Sequence, residues 1–467
     1  MGSINTSLSG AASALDALQY ALNVSQNNIA NASTPGYAKQ TATLVAAAFD
    51  PAGGLPGGVL QGPVVDSRDL VSEAAVWQQA GAQGAATAQN VALTDLQNAM
   101  PTSDGSGIPA ALTNFFSAAS AWSASPNDSG VAQTVISAAS ALGQSFQTTA
   151  AAVANVSQSV TQGISATVSQ INGLTGQLAN LNAQVINGGQ HNAGLSAQIY
   201  SNLETLSGLV NLQVLPQQDG SVQVCLSGGQ PLVMENQQFK LSSDPANQGS
   251  GTPTDIAIYG TDGTDVTSQI TSGTLSGQLQ VRNVNIPALI GDGSQTGSLN
   301  QLAAQLANQV NGIQGFFSPT NPPVDINLFN SPNAVNAATT MAVNPAVSVS
   351  GLPAITGNAP NTVANGVPLA LLNQSTTVWA GLGNASYTAY YGAAAAQVGS
   401  QLNQAQSDQS LATQSLAQAQ SMRQTAEGVD LNAEAVNVLQ LQQNFQAAAK
   451  LVNTLDTMTQ ALINMMP

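Results

Sequence analysis

The two ends of the chain carry the pattern that decides the fold. Residues 2–40 read GSINTSLSGAASALDALQYALNVSQNNIANASTPGYAKQ, and residues 431–466 read LNAEAVNVLQLQQNFQAAAKLVNTLDTMTQALINMM. In both stretches apolar residues return every three or four positions, the spacing of a heptad seam wound around a partner helix. Ordinary amphipathic helices of a bundle share this periodicity. The seam positions are Ile4, Leu8, Ala11, Leu15, Leu18, Leu22, Ser25 and Ile29 at one end, and Val438, Leu441, Phe445, Ala448, Val452, Leu455, Thr459, Leu462 and Met466 at the other.

The residues after the first seam predict a helix end followed by an extended segment. Pro35 disfavours helix at the residue before it, and Gly36 suits the turn that comes next. Extended chain is expected from Tyr37 to Val45. The first helix should therefore stop near Asn31 and lead into a strand.

Both ends also resemble those of a known family. The string ANASTPGY at residues 30–37 is similar to the N-terminal signature of bacterial flagellar axial proteins, which include rod, hook and hook-associated subunits. The string GVDLNAEA at residues 428–435 and the run LQQNFQAAAK at 441–450 resemble the closing signature. Gln40 after a basic residue, and the Gln-Gln pair before Phe445, resemble the hook-associated members of this family.

Two positions in the closing signature depart from the family pattern. Leu441 stands where the family often has an aromatic residue, and the usual acidic pair is reduced to Glu434, with Asn432 nearby. These changes leave a helix intact but remove any polar contact that the second acid would make.

Composition excludes several classes of function. The chain has 467 residues, of which 22 are acidic and only 6 are basic, giving a net charge of −16. The basic residues are scattered singly along the sequence, so neither a basic face for nucleic acid nor a cationic membrane anchor is expected. No apolar run reaches the roughly 18 residues of a transmembrane helix, and the N-terminus lacks a standard secretory signal. The lone Cys225 forms no internal disulfide.

Periodicity predicts long helices interrupted by a β region. Helices are expected over residues 70–100, 109–122 and 131–185, and again from 387 to 423. Alternation around Asp219-Gly220 predicts a β-hairpin, and strand-like pieces continue as far as 278–281. The sequence therefore predicts a mainly α fold with inserted β (α+β).

The resemblance implies an elongated, multi-domain subunit with discontinuous domains, in which a long helical bundle is built from both halves of the chain. The expected domains are a terminal helical (inner tube) domain, a rod-like bundle, an inserted antiparallel β domain and a Pro-rich irregular segment. The terminal domain is expected at 1–48 and 425–467, and the rod-like bundle at 49–210, 284–317 and 385–424. The inserted β domain is expected at 211–283, and the Pro-rich segment at 318–384.

The sequence offers few candidate catalytic or metal-binding residues. The lone histidine, His191, lies in a Gly-rich loop, and no Cys/His cluster, nucleophile elbow or phosphate-binding loop is present. Asp255, Asp262 and Asp265 have spacing that suits calcium, but Asp-Gly pairs are equally typical of β turns. We therefore expect no enzyme activity, no cofactor and no metal.

The resemblance implies a structural subunit that polymerises through its terminal helices to join the flagellar hook to the filament. It implies type III export without a cleaved signal, an extracellular position at the distal end of the hook, and no membrane insertion. The expected partners are further copies of the chain, the hook protein, a second hook–filament junction protein and a cytoplasmic export chaperone that binds the C-terminal segment. The expected assembly interface is Ile4, Leu8, Leu15, Leu18, Leu22, Ile29, Asn31, Pro35, Gly36, Tyr37, Val438, Leu441, Phe445, Val452, Leu455 and Leu462.

Two alternatives stay open at this stage. A hook or rod subunit shares the N-terminal signature, although the length of the 131–185 helix and the Gln-Gln pair argue against it. A secreted wall hydrolase or adhesin with axial-type ends is the other, but a hydrolase needs a positioned acid/base pair that the sequence does not offer.

Overall fold

The computed structural model is mainly α-helical with small antiparallel sheets, as the sequence predicted. It describes residues 2–465 except 51–54, 103–104, 190–191, 245–254, 293–294, 314–326, 331–332, 353 and 357–361. The helices are α1 (Gly2–Asn31), α2 (Leu70–Ala99), α3 (Gly107–Ala124), α4 (Ser129–Gln184), α5 (Ala193–Leu209), α6 (Gly273–Gln280), α7 (Ile286–Ile290), α8 (Ser298–Asn311), α9 (Ala337–Thr340), α10 (Gly366–Asn373), α11 (Tyr387–Glu427) and α12 (Leu431–Asn464). The strands are β1 (Gln40–Ala46), β2 (Phe49–Asp50), β3 (Leu55–Pro56), β4 (Val59–Asp66), β5 (Gln213–Pro216), β6 (Val222–Cys225), β7 (Pro231–Met234), β8 (Gln237–Gln238), β9 (Ser242–Ser243) and β10 (Ile258–Tyr259).

Helix α4 is 56 residues long and confirms the prediction over residues 131–185. Its apolar stripe is fully enclosed, with Val135, Phe146 and Ile164 among the side chains that have no exposed surface. The helix ends in a π-helical turn at Val185–Gly189, where Gly188 has φ +113°. A positive φ is readily adopted only by glycine, which explains why the helix stops there.

The sheet formed by β5, β6, β7 and β8 is an antiparallel meander. The predicted turn at Asp219-Gly220 joins its first two strands, and Gly220 has φ +86°. The buried side chain of Asn182 on α4 holds the sheet, because its Nδ2 donates to the carbonyls of Val222 (2.7 Å) and Glu235 (2.6 Å). Its Oδ1 accepts the Val222 N–H at 3.0 Å.

The strand predicted at residues 278–281 is wrong. These residues belong to α6 and to the π-helical turn Val281–Asn285 that follows it. Leu275 and Leu279, four residues apart on one helical face, are both buried. Gly277 lies so close to the Ala85 carbonyl that any side chain there would collide with it, so the position selects glycine for close packing.

The chain forms two compact units, each assembled from separate segments. The first comprises Met1–Gly81, Ile171–Lys240 and Ala412–Pro467, and contains α1, α5, α12 and the β5–β8 sheet. The second comprises Ala82–Gln170 and Leu241–Leu411. The finer division into terminal, bundle, inserted β and Pro-rich domains stays a prediction.

The core of the second unit is aromatic. Phe115 and Phe116 on α3 contact each other, and their rings also contact those of Phe329 and Tyr387. Tyr387 stacks on Trp379 with ring centroids 5.9 Å apart. Helix α10 packs on α3, so part of the predicted Pro-rich segment covers this core.

Across the described residues, none of the helices combines the length and the apolar character that a membrane span requires.

Candidate assembly surface

Helices α1 and α12 pack on each other over much of their length. Asn437 donates from Nδ2 to Ser25 Oγ across the pair at 2.8 Å. Among the predicted seam residues, Ala11 and Ser25 are buried, Ile29 is exposed, and the larger apolar side chains are only half-buried. The half-buried members are Leu8, Leu15, Leu18, Leu22, Val438, Leu441, Phe445, Val452 and Leu455; the side chains of Ile4 and Leu462 lie outside the described part.

Helix α12 carries a second apolar stripe beside the seam. Val436 and Leu439 lie two positions before seam residues, whereas Leu451, Met458 and Met465 lie one position before them, so the stripe is turned from the seam by about 100–160° around the helix. Its members are between 50% and 71% exposed, although large apolar side chains are favoured in contact with other apolar groups. We call this set the outer stripe of α12; it comprises Val436, Leu439, Leu451, Met458 and Met465.

The sequence prediction missed the outer stripe. Its residues also recur at helical spacing, with Ala447 and Thr454 in between, but they lack the regular alternation of three and four that marks the seam. A helix with two apolar stripes needs a packing partner for each stripe. Within the described chain α12 packs mainly on α1, so the outer stripe has no such partner.

The loop after α1 is fixed by the buried side chain of Asn28. Its Oδ1 accepts the Gln40 N–H and its Nδ2 donates to the Gln40 carbonyl, both at 2.8 Å. The Tyr37 hydroxyl also donates to Asn28 Oδ1 at 2.9 Å. Burial, and secondarily the nearby Glu434 carboxylate, raises the pKa of Tyr37 to about 12, so its hydroxyl stays protonated as this donor requires.

Other residues of the predicted signature shape the same loop. Asn31 accepts from the Thr34 hydroxyl at 3.2 Å, and Pro35 is exposed at the tip. Gly36 has φ +72°, and a Cβ at this position would collide with the Ala197 carbonyl on α5. The loop therefore needs glycine both for its backbone conformation and for its close approach to α5.

Beyond the loop, strands β1 and β4 form a hairpin that packs on α1. The Tyr20 hydroxyl donates to the Gly62 carbonyl at 3.1 Å, and Gln61 donates to the Asp16 carbonyl at 3.1 Å. On β1 and β4, Val45 and Leu60 face each other across the ladder and both are about half exposed.

A buried ion cluster lies where the loop, α2, α5 and α11 meet. Arg68 pairs with Glu73, donates to the Gly36 carbonyl at 2.8 Å and lies 3.6 Å over the Tyr200 ring. Arg423 binds Glu73 at 3.1 Å and Glu204 at 2.8 Å. The sequence suggested scattered single cations, yet the fold brings together two arginines that lie far apart in the chain.

The C-terminal end of α11 completes this cluster. Glu427 lies 3.6 Å from Arg68, and its Oε1 accepts the Asp69 N–H at 2.8 Å. The Glu427 carbonyl accepts the Lys39 N–H at 2.9 Å, and Lys39 Nζ pairs with Glu434 at 3.2 Å. The remaining acid of the closing signature thus has a defined contact with the opening signature.

A polar cavity of about 210 Å³ adjoins the cluster. It is lined by the loop residues 32–37, by Glu73 and by the end of α11, including Arg423 and Glu427. Both ends of the chain therefore meet at one polar site next to the terminal helix pair.

Two of the three candidate calcium carboxylates, Asp262 and Asp265, are engaged in turns. Asp262 accepts from the Thr264 hydroxyl at 2.9 Å, and Asp265 accepts from the Thr267 N–H at 2.9 Å. Over the described residues, His, Cys, Asp and Glu side chains form no group of three able to hold a metal ion. His191 lies outside the described residues.

Three family models match separate parts of the chain. "Flagellar hook-associated protein FlgK helical domain" matches residues 93–316, "Flagella basal body rod protein" matches 8–37, and "Flagellar basal body rod FlgEFG protein C-terminal" matches 423–465. The two rod-protein matches coincide with the signature-bearing ends.

Similar proteins carry a single name. Flagellar hook-associated protein 1 of Bacillus subtilis is 25% identical over 97% of this chain and 96% of its own length. The Escherichia coli protein of that name is 27% identical over 66% of this chain and 56% of its own length. A solved structure of the flagellar hook junction protein FlgK from Burkholderia pseudomallei is 26% identical over 55% of this chain and 46% of its own, with a TM-score of 0.46.

These matches run from one terminal signature through the helical middle to the other, and nearly the whole chain aligns with a protein of one name. Over nearly its whole length the chain is therefore similar to flagellar hook-associated protein 1, as its terminal signatures predicted, and these matches support a structural subunit of the bacterial flagellum.

Proposed function

We propose that this subunit forms the junction between hook and filament, as a ring or tube of copies that pack through α1 and α12. The observation that carries the proposal is the outer stripe of α12. Its five apolar side chains remain exposed although α1 already packs on the neighbouring seam. Burying each of them would contribute about 1–2 kcal/mol, so several together suffice to hold neighbouring subunits.

The seam residues have a double role in this proposal. Within one subunit they hold α12 against α1, and their half-buried state leaves surface for a neighbouring copy. The predicted interface residues on the loop, Asn31, Pro35, Gly36 and Tyr37, would set the direction of the helix pair relative to α5 within the first unit. The predicted interface is therefore extended by the outer stripe.

The partners follow from the family. Further copies, the hook protein and a second junction protein would contact the assembled subunit at the distal end of the hook, outside the cell. An export chaperone would hold the C-terminal segment before type III export, and the outer stripe gives such a chaperone an apolar surface to cover.

A hook or rod subunit is the competing assignment, because the two rod-protein models match only the ends that all axial proteins share. The match over residues 93–316 to the hook-associated helical domain favours the junction. Immunogold labelling of isolated flagella separates the two: a narrow band at the distal end of the hook is expected, and label along the whole hook or in the rod would refute the proposal.

A substitution on the outer stripe tests the mechanism. Leu439→Asp places a charge on a side chain that is 59% exposed in the monomer, so the melting temperature should change by less than about 2 °C. In the assembled tube the same carboxylate would be buried without a partner, at a cost of several kcal/mol. We expect filament-less cells that shed soluble, folded subunit into the medium.

Asn444→Asp is the matched control, because it adds the same charge to an exposed polar position of the same helix. It should assemble normally. Normal filaments with Leu439→Asp, or equal loss of assembly with both variants, would contradict a role for the outer stripe.

A further inference from the structure

The buried ion cluster has an unequal charge balance. Three carboxylates, those of Glu73, Glu204 and Glu427, face two guanidinium groups, those of Arg68 and Arg423. Glu73 already pairs with both arginines, and Glu204 takes a close contact with Arg423. Glu427 is left with the most distant ion pair of the set, at 3.6 Å, although its side chain is only 5% exposed.

Glu427 also lies at the connection between helices α11 and α12. It is the last residue of α11, and α12 begins four residues later. Its side chain accepts the Asp69 N–H just before α2, and its carbonyl accepts the Lys39 N–H and the Ser67 hydroxyl. One residue thus holds the segments that lead to α1, α2 and α12.

We propose that Glu427 is a proton-dependent clamp: the neutral carboxyl group keeps these three segments together, and its ionisation loosens the joint between α11 and α12. A neutral carboxyl group still accepts the Asp69 N–H and carries no charge into the buried cluster. An ionised one adds a third negative charge next to Glu73, where solvent provides little screening.

The surroundings support proton uptake near neutral pH. Burial is the largest cause that raises the pKa of Glu427 to about 7, and the charge of Glu73 adds to it, while the Asp69 N–H, Arg68 and Arg423 oppose the shift. Glu204 faces the cluster from α5, Asp66 lies near it at the end of β4, Asp69 lies just before α2, and the Lys39–Glu434 pair approaches from the loop and α12. Burial raises the pKa of Tyr200 to about 12, so that group does not titrate in the same range.

The sign of the effect follows from linkage. The folded pKa of about 7 lies above the ordinary value of 4.5, so the folded state binds more protons between these two pH values. The contribution of Glu427 to stability is complete below pH 4.5 and is lost as the pH rises through about 7. The clamp is therefore closed in mild acid and weakened above neutrality.

Hydrogen–deuterium exchange measured by mass spectrometry tests the clamp in the full chain. Wild type and Glu427→Gln are compared at the same pH, which cancels the intrinsic pH dependence of exchange. The amide mimics the neutral carboxyl group. At pH 8, peptides covering residues 36–41, 66–73 and 420–434 should exchange about tenfold more slowly in the variant, and at pH 5.5 the two proteins should agree.

Glu235→Gln is the matched control, because Glu235 is exposed in the turn between β7 and β8. It should leave these peptides unchanged at both pH values. Equal rates for wild type and Glu427→Gln at pH 8, or the same difference at pH 8 and pH 5.5, would overturn the proposal.

A second measurement needs no variant. Exchange of the same wild-type peptides, divided by their intrinsic rates, should rise between pH 5.5 and pH 8, whereas peptides of α4 should not change. A flat profile would overturn the clamp even if Glu427→Gln failed to fold.

Discussion

Helices α4 and α12 carry the same kind of apolar periodicity but serve different purposes. On α4, residues such as Leu142, Phe146 and Ile171 are fully enclosed. On α12, none of the apolar side chains that the structure describes is buried, and Glu434 is its one buried residue in that part. Periodicity therefore identifies a face that needs a partner, and the number of available neighbours decides whether that partner lies in the same chain.

The first prediction tests this contrast with two phenylalanines. Phe146→Ala on α4 should lower the free energy of unfolding by about 3–5 kcal/mol, because it opens a cavity in a closed core. Phe445→Ala on the half-buried seam of α12 should cost roughly 1 kcal/mol, because water already reaches that ring. Urea unfolding of the monomer, followed by circular dichroism, gives both values. Equal losses would show that the seam of α12 belongs to the monomer core.

The second prediction makes the same comparison with two asparagines. Asn182→Ala removes three hydrogen bonds between α4 and the β5–β8 sheet, and leaves buried backbone groups unpaired at a cost of about 2–3 kcal/mol. Asn437→Ala removes one hydrogen bond, to Ser25, from an exposed residue of α12 and should cost about 0.5 kcal/mol.

The readout for this pair is again urea unfolding, with exchange of the β5–β8 peptides as the local probe. Asn182→Ala should speed their exchange and Asn437→Ala should not. A loss from Asn437→Ala as large as that from Asn182→Ala would mean that α1 and α12 form a permanent core rather than a half-open pair.

The sequence predicted α4 well because a long helix with one buried stripe repeats its signal over many turns. It failed at residues 278–281 because Leu279 and Val281 alternate with polar residues over too short a stretch to separate strand from helix. There the close approach of Gly277 to α2 decided the outcome, and no local pattern reports a contact between distant segments.

The site was only partly predictable for a related reason. Tyr37 and Gly36 stand in a continuous string and the two seams repeat every three or four residues, so the sequence alone is enough to propose them as interface residues. The ion cluster could not, because Arg68 and Arg423 meet only after folding and each reads as an isolated surface charge in the sequence. Glu434 was singled out by its position in the closing signature, but its partner Lys39 lies in the opening one.

The last prediction concerns the Lys39–Glu434 ion pair, which connects the opening and closing signatures. Glu434 Oε1 contacts Lys39 Nζ at 3.2 Å, while its Oε2 accepts no hydrogen bond from the described residues. Lys39→Met keeps the apolar stem but leaves the buried carboxylate without its cation, and we expect a loss of about 1 kcal/mol. Lys450→Met, at an exposed position of α12, is the matched control and should change stability by less than about 0.3 kcal/mol.

Combining Lys39→Met with Glu434→Gln closes a double-mutant cycle that isolates the interaction itself. A coupling energy of about 1 kcal/mol, smaller in 1 M salt, would show that the ion pair connects the opening and closing signatures in the monomer. A coupling energy near zero would mean that this ion pair does not hold α12, which would then depend on its half-buried seam and on the Asn437–Ser25 hydrogen bond. The difference between the enclosed helix α4 and the half-open helix α12 would then be larger, because no ion pair would stabilise the contact between the two signatures in the monomer.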